Sequence, residues 1–154
     1  MKNITNNSIK NLIEKYPEYW NKKSYKKGTT LYSEGNIANK ICYLEKGIAK
    51  VFLVGKKNKY PTIAFHSDGD IFVPYISFTE NIPTRVNIEL ITNAEVYEIS
   101  KDNWHELAKL EPELNKYISQ IMQVQHIKMF EYIYDLNCCS TSERYELAMK
   151  QMPF

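Results

Sequence analysis

The chain has 154 residues, of which 44% are hydrophobic and 25% are charged, so it can form a globular domain and is not expected to be disordered. Its net charge is only +2, which excludes a strongly basic or acidic protein, although residues 1–60 hold 13 Lys against 4 Glu. These lysines are scattered and not interleaved with aromatic residues, which favours a solvated face over a nucleic-acid surface.

No apolar run approaches the roughly 18 residues that cross a bilayer, so no membrane partner is expected. The N-terminus lacks the apolar stretch of a secretory signal. The three cysteines are too few and too irregularly placed for a disulfide framework, and this favours a reducing, cytoplasmic location.

Residues 1–24 are predicted to form an N-terminal helical segment. Ile9, Leu12 and Ile13 recur at helical spacing, and Pro17 interrupts the pattern.

Residues 25–100 are predicted to form short antiparallel strands. All five glycines lie here at intervals of 7 to 14 residues. Turn residues at this spacing are typical of a β-sandwich, roll or barrel. A tight turn at Gly47 predicts a hairpin between residues 41–44 and 48–54, and a second hairpin returns through residues 60–65. Later strands are predicted at residues 86–90 and 94–99. No helix of useful length is expected between Lys26 and Ser100, which excludes a parallel βαβ sheet.

Residues 101–139 are predicted to be helical. Asp102 can cap a short helix that ends before Pro112, and a longer helix runs from Glu113 to about Leu136. The longer helix is apolar on two sides, so we expect it to pair with a second copy of the chain. The expected dimer interface consists of Ile118, Ile121, Gln125, Met129 and Tyr132.

Residues 140–154 are predicted to begin a further helix. Ser140 and Glu143 have the spacing of a capping box, and Pro153 would end the helix.

Two motifs carry a resemblance to a known family. The stretches Gly28-Thr-Thr-Leu-Tyr-Ser-Glu-Gly35 and Tyr43-Leu-Glu-Lys-Gly-Ile-Ala-Lys-Val51 are similar to the opening of a cyclic-nucleotide-binding domain. The chain resembles the sensor half of Crp/Fnr-type transcription regulators over nearly its full length. The resemblance implies an α+β fold, in which an antiparallel β-roll (a jelly-roll) is flanked by an N-terminal helix and a long C-terminal dimerisation helix.

The same resemblance implies a homodimer that encloses a small-molecule effector. In such regulators a winged helix-turn-helix domain follows and reads DNA. Residues 140–154 would supply only the hinge and the first helix of that domain, so DNA would be bound only through a C-terminal part absent from this chain.

The phosphate-binding cassette of the family departs from its pattern here. Arg85 matches the arginine that pairs with the phosphate, but Pro74 stands for a glycine and Tyr75 for the ribose-binding glutamate. Proline has no N–H to donate, and each lost donor costs about 1–3 kcal/mol. We therefore expect no physiological binding of cyclic AMP and a degenerate pocket that suits a small apolar acid. The residues expected to line it are Arg85, Phe72, Tyr75, Thr84, Met129 and Phe130.

Other interpretations stay open at this point. The chain could be a functional cyclic-nucleotide-binding module with an unorthodox cassette, or a ligand-free dimeric scaffold in which Arg85 pairs with a surface carboxylate and the aromatic residues fill the roll. A cupin-like metal enzyme is disfavoured because no His-x-His pair occurs. Cys138 and Cys139 are adjacent and cannot mimic a Cys-x-x-Cys pair, so we expect hinge-region thiols. No catalytic motif, metal site or cofactor is predicted.

Overall fold

The computed structural model describes the backbone of residues 2–151 and their side chains, except those of residues 2–7, 58, 115 and 151. The chain forms two compact units, Met1–Glu111 and Pro112–Phe154. The first unit contains eight strands and three α-helices among the described residues: α1 (Lys2–Lys15), β1 (Asn21–Tyr25), β2 (Thr30–Tyr32), β3 (Lys40–Lys46), β4 (Ala49–Phe52), β5 (Thr62–His66), β6 (Ile71–Phe72), α2 (Tyr75–Glu80), β7 (Asn87–Leu90), β8 (Ala94–Ser100) and α3 (Lys101–Leu110).

The eight strands form two antiparallel four-stranded sheets. Sheet 1 has the order β1-β8-β3-β6, and sheet 2 has the order β2-β7-β4-β5. This arrangement confirms the predicted antiparallel β-roll. The predicted N-terminal helix is also confirmed, because α1 buries Ile9, Leu12 and Ile13 and ends before Pro17.

The hydrophobic core lies between the sheets. Leu44 is opposite Val96 in sheet 1 and both are fully buried, which shows that their shared face is an inner one. Cys42 shares that face, and its Sγ accepts a hydrogen bond of 3.4 Å from Tyr32 Oη of sheet 2. Tyr32 is paired with Ile88, another buried residue, so this contact joins the inner faces of the two sheets.

The predicted hairpin across Gly47 is wrong. β3 pairs with β6 and β8, whereas β4 pairs with β5 and β7, so the chain crosses from sheet 1 to sheet 2 at this glycine. Gly47 has a φ of +127°, and a Cβ there would lie 2.7 Å from the Cβ of Ala94. The crossing therefore needs glycine both for its conformation and for space. The second predicted hairpin, between β4 and β5, is confirmed.

Three further elements differ from the sequence-based expectation. β1 lies before the predicted start of the roll at residue 25, and four of its five residues are exposed. The six-residue helix α2 interrupts a region where only strands were expected. α3 is capped by Ser100 and not by Asp102, because Ser100 Oγ accepts a hydrogen bond of 3.2 Å from Asn103 N.

One carboxylate is buried on the inner face of sheet 1. Glu98 is 4% exposed and lies two residues from Val96 on the same strand. It accepts hydrogen bonds from Tyr25 Oη at 2.6 Å and from the ammonium of Lys40, and it forms an ion pair of 2.8 Å with Lys23. Burial alone would raise the pKa of Glu98, but these hydrogen bonds outweigh it and hold the pKa below the usual 4.5. The carboxylate is therefore charged in the folded protein at neutral pH.

The second unit contains the long helix α4 (Leu114–Cys138) and α5 (Thr141–Gln151). The capping box at the start of α5 is confirmed: Ser140 N donates to Glu143 Oε2 at 2.8 Å, and Glu143 N donates to Ser140 Oγ at 3.3 Å. Pro153, expected to end this helix, lies outside the described residues. Across residues 2–151, none of the helices combines the length and apolarity that a bilayer crossing requires.

Candidate functional site

The altered cassette residues lie at the start of α2. Pro74 is the N-cap of this helix, with a φ of −65°, and its carbonyl accepts a hydrogen bond of 3.0 Å from Phe78 N. Its own nitrogen carries no proton and cannot donate to a ligand. Tyr75 is the first helical residue and is 38% exposed. This end of the helix thus offers a phenol and a nitrogen without a proton, where the family resemblance implies a carboxylate and a backbone N–H.

Helix α2 is anchored to its surroundings beyond these two residues. The buried Ser77 Oγ accepts a hydrogen bond of 2.9 Å from Ala38 N. At the other end, Lys101 Nζ donates to the carbonyl of Phe78 and, at 2.8 Å, to Asn81 Oδ1. Asn81 ends the helix in the left-handed conformation, with a φ of 55°. Helix α2 is therefore also held by side-chain hydrogen bonds that do not involve Pro74 or Tyr75.

A second anchored segment carries the predicted anion-binding arginine. Gly35 N donates to Thr84 O at 2.9 Å, and Thr84 N donates to Asn36 O at 2.8 Å. Thr84 is buried, and its Oγ1 accepts a hydrogen bond of 3.2 Å from Val86 N. These bonds hold the backbone on both sides of Arg85.

Arg85 itself is exposed to solvent. Within the part of the chain that the structure describes, its guanidinium has neither a hydrogen bond nor an ion pair. No described carboxylate neutralises it, contrary to the alternative considered for a filled roll. A fixed backbone with an unpaired guanidinium is suited to binding an anion.

Phe72 belongs to the core of the roll. It is buried, its ring stacks on His66 with 4.6 Å between the centroids, and it meets Tyr32 edge-on at 6.3 Å. Such a ring can form the floor of a ligand site but is already packed on two sides.

The remaining predicted pocket residues, Met129 and Phe130, lie on α4 in the second unit, where they are 51% and 60% exposed. Phe72, Tyr75, Thr84 and Arg85 belong to the first unit. That these four residues line one pocket, and that Met129 and Phe130 take part in it, stays a prediction.

The loop between β2 and β3 was not predicted as part of the site. Its residues Gly35, Asn36 and Ala38 hold the segments of both Arg85 and α2. The sequence contained a signal for it in the Glu34-Gly35 pair of the motif. Three apolar side chains next to these anchored positions are exposed, namely Ile37, Ile76 and Ile82. The candidate site therefore combines the Arg85 guanidinium, which has no partner among the described residues, with apolar residues in the adjoining segments.

The predicted dimer interface residues differ in exposure within a single chain. Ile118 is buried, Ile121, Gln125 and Tyr132 are half-buried, and Met129 is exposed. α4 also exposes five further large apolar side chains, which are Ile127, Phe130, Ile133, Tyr134 and Leu136. An apolar surface of this extent on one helix is unusual for a chain that stays monomeric.

The histidines and acidic residues form no metal centre in the described part of the molecule. No group of three or more His, Cys, Asp or Glu side chains there could hold a metal ion. The three histidines are instead engaged in ring contacts: His66 with Phe72, His105 with Phe78, and His126 with Phe130.

Comparison with known proteins bears on the same region. Residues 22–110 match the family model described as "Cyclic nucleotide-binding domain". No curated protein matches the chain significantly.

Solved structures with the same fold include three bacterial regulators. The c-di-GMP responsive global regulator CLP of Xanthomonas campestris has a TM-score of 0.77 at 17% identity, over 92% of this chain and 72% of CLP. A Crp/Fnr-family transcriptional regulator of Eubacterium rectale has a TM-score of 0.75 at 14% identity, over 90% of this chain and 67% of that one. The Thermus thermophilus catabolite activator protein has a TM-score of 0.69 at 13% identity, over 80% of this chain and only 57% of its own.

Proposed function

Because this chain belongs to the cyclic nucleotide-binding domain family, we propose that it is the effector-sensing domain of a cytoplasmic Crp/Fnr-type transcription regulator whose effector is not a cyclic nucleotide. The family and the structural neighbours are regulatory binding domains and not enzymes. In this proposal the roll senses the effector, and DNA is contacted by a further domain.

The observation that carries the proposal is the chemistry at the start of α2. Pro74 removes an N–H, and Tyr75 replaces the acidic acceptor that the family resemblance assigns to the ribose hydroxyl. Losing two such interactions at about 1–3 kcal/mol each weakens nucleotide binding by a factor between about 30 and about 10⁴. Arg85 remains, and a buried or half-buried anion still needs a cation.

The effector class that fits these residues is a small apolar acid. Its carboxylate would pair with Arg85, and its apolar part would cover exposed side chains such as Ile76, which is 65% exposed. Binding would shift the population of two arrangements of the dimer, as in other ligand-controlled assemblies.

Calorimetric titration with cyclic AMP and cyclic GMP tests the proposal. We expect no binding tighter than a dissociation constant of about 1 mM, which corresponds to about 4 kcal/mol of affinity. The matched variant Arg85→Gln should behave identically towards both nucleotides. Micromolar binding that disappears in Arg85→Gln would instead establish a functional nucleotide-binding module with an unorthodox cassette.

We further propose that two copies of the chain pair along α4. The exposed apolar side chains of this helix support the proposal, because a second copy would remove them from water. A ligand-free dimeric scaffold shares this feature, and only effector binding separates it from a sensor.

Sedimentation velocity tests the dimer with the variant Met129→Glu. An unpaired carboxylate in an apolar helix interface should raise the dimer dissociation constant by about 10²-fold or more. Gln123→Glu is the matched control, since it places the same charge at an exposed polar position of α4 that is not one of the five predicted interface residues. A monomeric natural chain at tens of micromolar, or a dimer indifferent to Met129→Glu, would contradict the proposal.

A further inference from the structure

Two thiols occupy the junction between α4 and α5. Cys138 is the last residue of α4 and is exposed, and Cys139 follows as the C-cap, with extended backbone angles of −108° and 144°. Cys139 N donates to Asp135 O at 3.3 Å, and its Sγ lies 4.0 Å from Asp135 Oδ1. The capping box of α5 starts at Ser140, so the thiols lie at the short non-helical step of this unit.

The number of donors restricts what this pair can bind. Structural zinc needs four ligands, and within residues with described side chains no third His, Cys, Asp or Glu is placed to form a metal-binding group. An internal disulfide is also disfavoured, because consecutive Cα atoms are 3.8 Å apart, whereas ordinary disulfides need about 4.4–6.8 Å. What fits is a soft centre that requires two sulfur ligands and no more.

We propose that Cys138 and Cys139 form a dithiol site for monosubstituted trivalent arsenic compounds. In R–As(OH)₂ the carbon substituent already occupies one of the three bonds of arsenic. Both thiol protons leave with the two hydroxyl groups as two molecules of water, and two As–S bonds replace two As–O bonds. No atom changes its oxidation state, so no oxidant or reductant is needed.

The third cysteine provides an internal comparison. Cys42 is fully buried in the roll, and burial raises the pKa of its thiol to about 12. Burial and the charges of Asp135, Glu143 and Cys138 also raise the pKa of Cys139, so its thiol is protonated at neutral pH. Slow single-thiol chemistry is therefore expected at Cys139. The affinity for an arsenic compound is raised instead by the second thiol, because the neighbouring residue holds it at a high effective concentration.

Bridging these two side chains would restrict rotation at the step that joins α4 to α5. The consequence is a site at which a soft electrophile can stiffen the helix junction. This site shares no residue with the predicted effector site, since neither Cys138 nor Cys139 is among the residues expected to line it.

Intact-mass spectrometry of the full chain with phenylarsine oxide tests the proposal. We expect one phenylarsenic group per chain, retained in excess 2-mercaptoethanol and removed by 1,2-ethanedithiol. Cys138→Ser and Cys139→Ser should each weaken retention by about 10²-fold or more, because each removes the chelate. The double variant Cys138→Ser/Cys139→Ser, which keeps Cys42, should bear no phenylarsenic adduct.

Four outcomes would overturn the site. These are no adduct on the natural chain, undiminished retention in either single variant, an adduct that persists in the double variant, or one arsenic shared between two chains. Circular dichroism of each serine variant ensures that a lost adduct reflects a lost thiol and not a lost fold.

Discussion

The double variant Pro74→Gly/Tyr75→Glu is expected to bind cyclic AMP at least about 30-fold more tightly than the natural chain. The change restores one backbone donor and one acidic acceptor, which at about 1–3 kcal/mol each corresponds to a gain between about 30-fold and about 10⁴-fold. The remainder of α2 should keep its position, because Ser77 and Lys101 anchor it independently of these two residues. Isothermal titration calorimetry measures the gain.

Two further variants separate the contributions of the backbone N–H, the carboxylate and the Arg85 guanidinium to nucleotide binding. Pro74→Gly/Tyr75→Gln keeps the restored N–H and the side-chain length but lacks the carboxylate, so it should recover only part of the affinity. Adding Arg85→Gln to the double variant should abolish the gain, since the phosphate then has no cation. A correctly folded double variant that binds no better than the natural chain would show that Pro74 and Tyr75 are not what excludes the nucleotide.

Glu98→Ala is expected to lower the free energy of unfolding by about 3 kcal/mol. Removing one partner of a buried ion pair costs about 3–5 kcal/mol, because the remaining charges stay uncompensated. The loss of unfolding free energy should lie at the lower end of this range, because the Lys23 side chain is half exposed and its ammonium can be hydrated again. Urea denaturation measures the loss. Glu95→Ala is the matched control: Glu95 lies on the opposite face of the same strand, and its removal should change stability by no more than about 0.5 kcal/mol.

The same carboxylate predicts a pH dependence with a definite sign. Because the folded pKa of Glu98 lies below its usual 4.5, its stabilisation is fully present above that value and is lost as the pH falls through the lower folded value. The natural chain should therefore lose more stability than Glu98→Gln between pH 5 and pH 3. If the unfolding free energies of the two proteins changed with pH in parallel, Glu98 would not be charged in the folded state.

The positions of the strands could be read from the sequence better than their pairing. Glycine spacing and alternating apolar residues located β3, β4, β5, β7 and β8. Turn chemistry at Gly47, however, is the same for a tight hairpin and for a crossing between two packed sheets. The two cases are distinguished by which strands β3 and β4 pair with, and the pairing of β3 with β8 joins residues about fifty to sixty positions apart.

The missed elements have local reasons. β1 is an edge strand with the polar sequence Asn-Lys-Lys-Ser-Tyr, so it lacks the alternation that marks a half-buried strand. α2 has six residues, among them β-branched Ile76 and Thr79, and propensity alone does not predict a helix there. Its position depends on hydrogen bonds to Ala38 and Lys101, which are distant in sequence.

For the site, motif similarity located Arg85 and the altered cassette, because both lie at fixed distances within one segment. It could not show that the backbone beside Arg85 is held by Gly35 and Asn36, since that contact joins residues almost fifty positions apart. The unpaired state of the guanidinium likewise depends on which carboxylates the fold brings near it.

The pairing of the first two strands with the last two has a consequence for folding during synthesis on the ribosome. Among the described residues, β1 pairs with β8 and β2 pairs with β7, so neither sheet can be completed by a nascent chain that has not yet reached about Ser100. Contacts this distant in sequence are slow to form and leave strand edges unpaired meanwhile. Emergence of the segment with β7 and β8 from the exit tunnel is thus the step that commits the roll to its native topology.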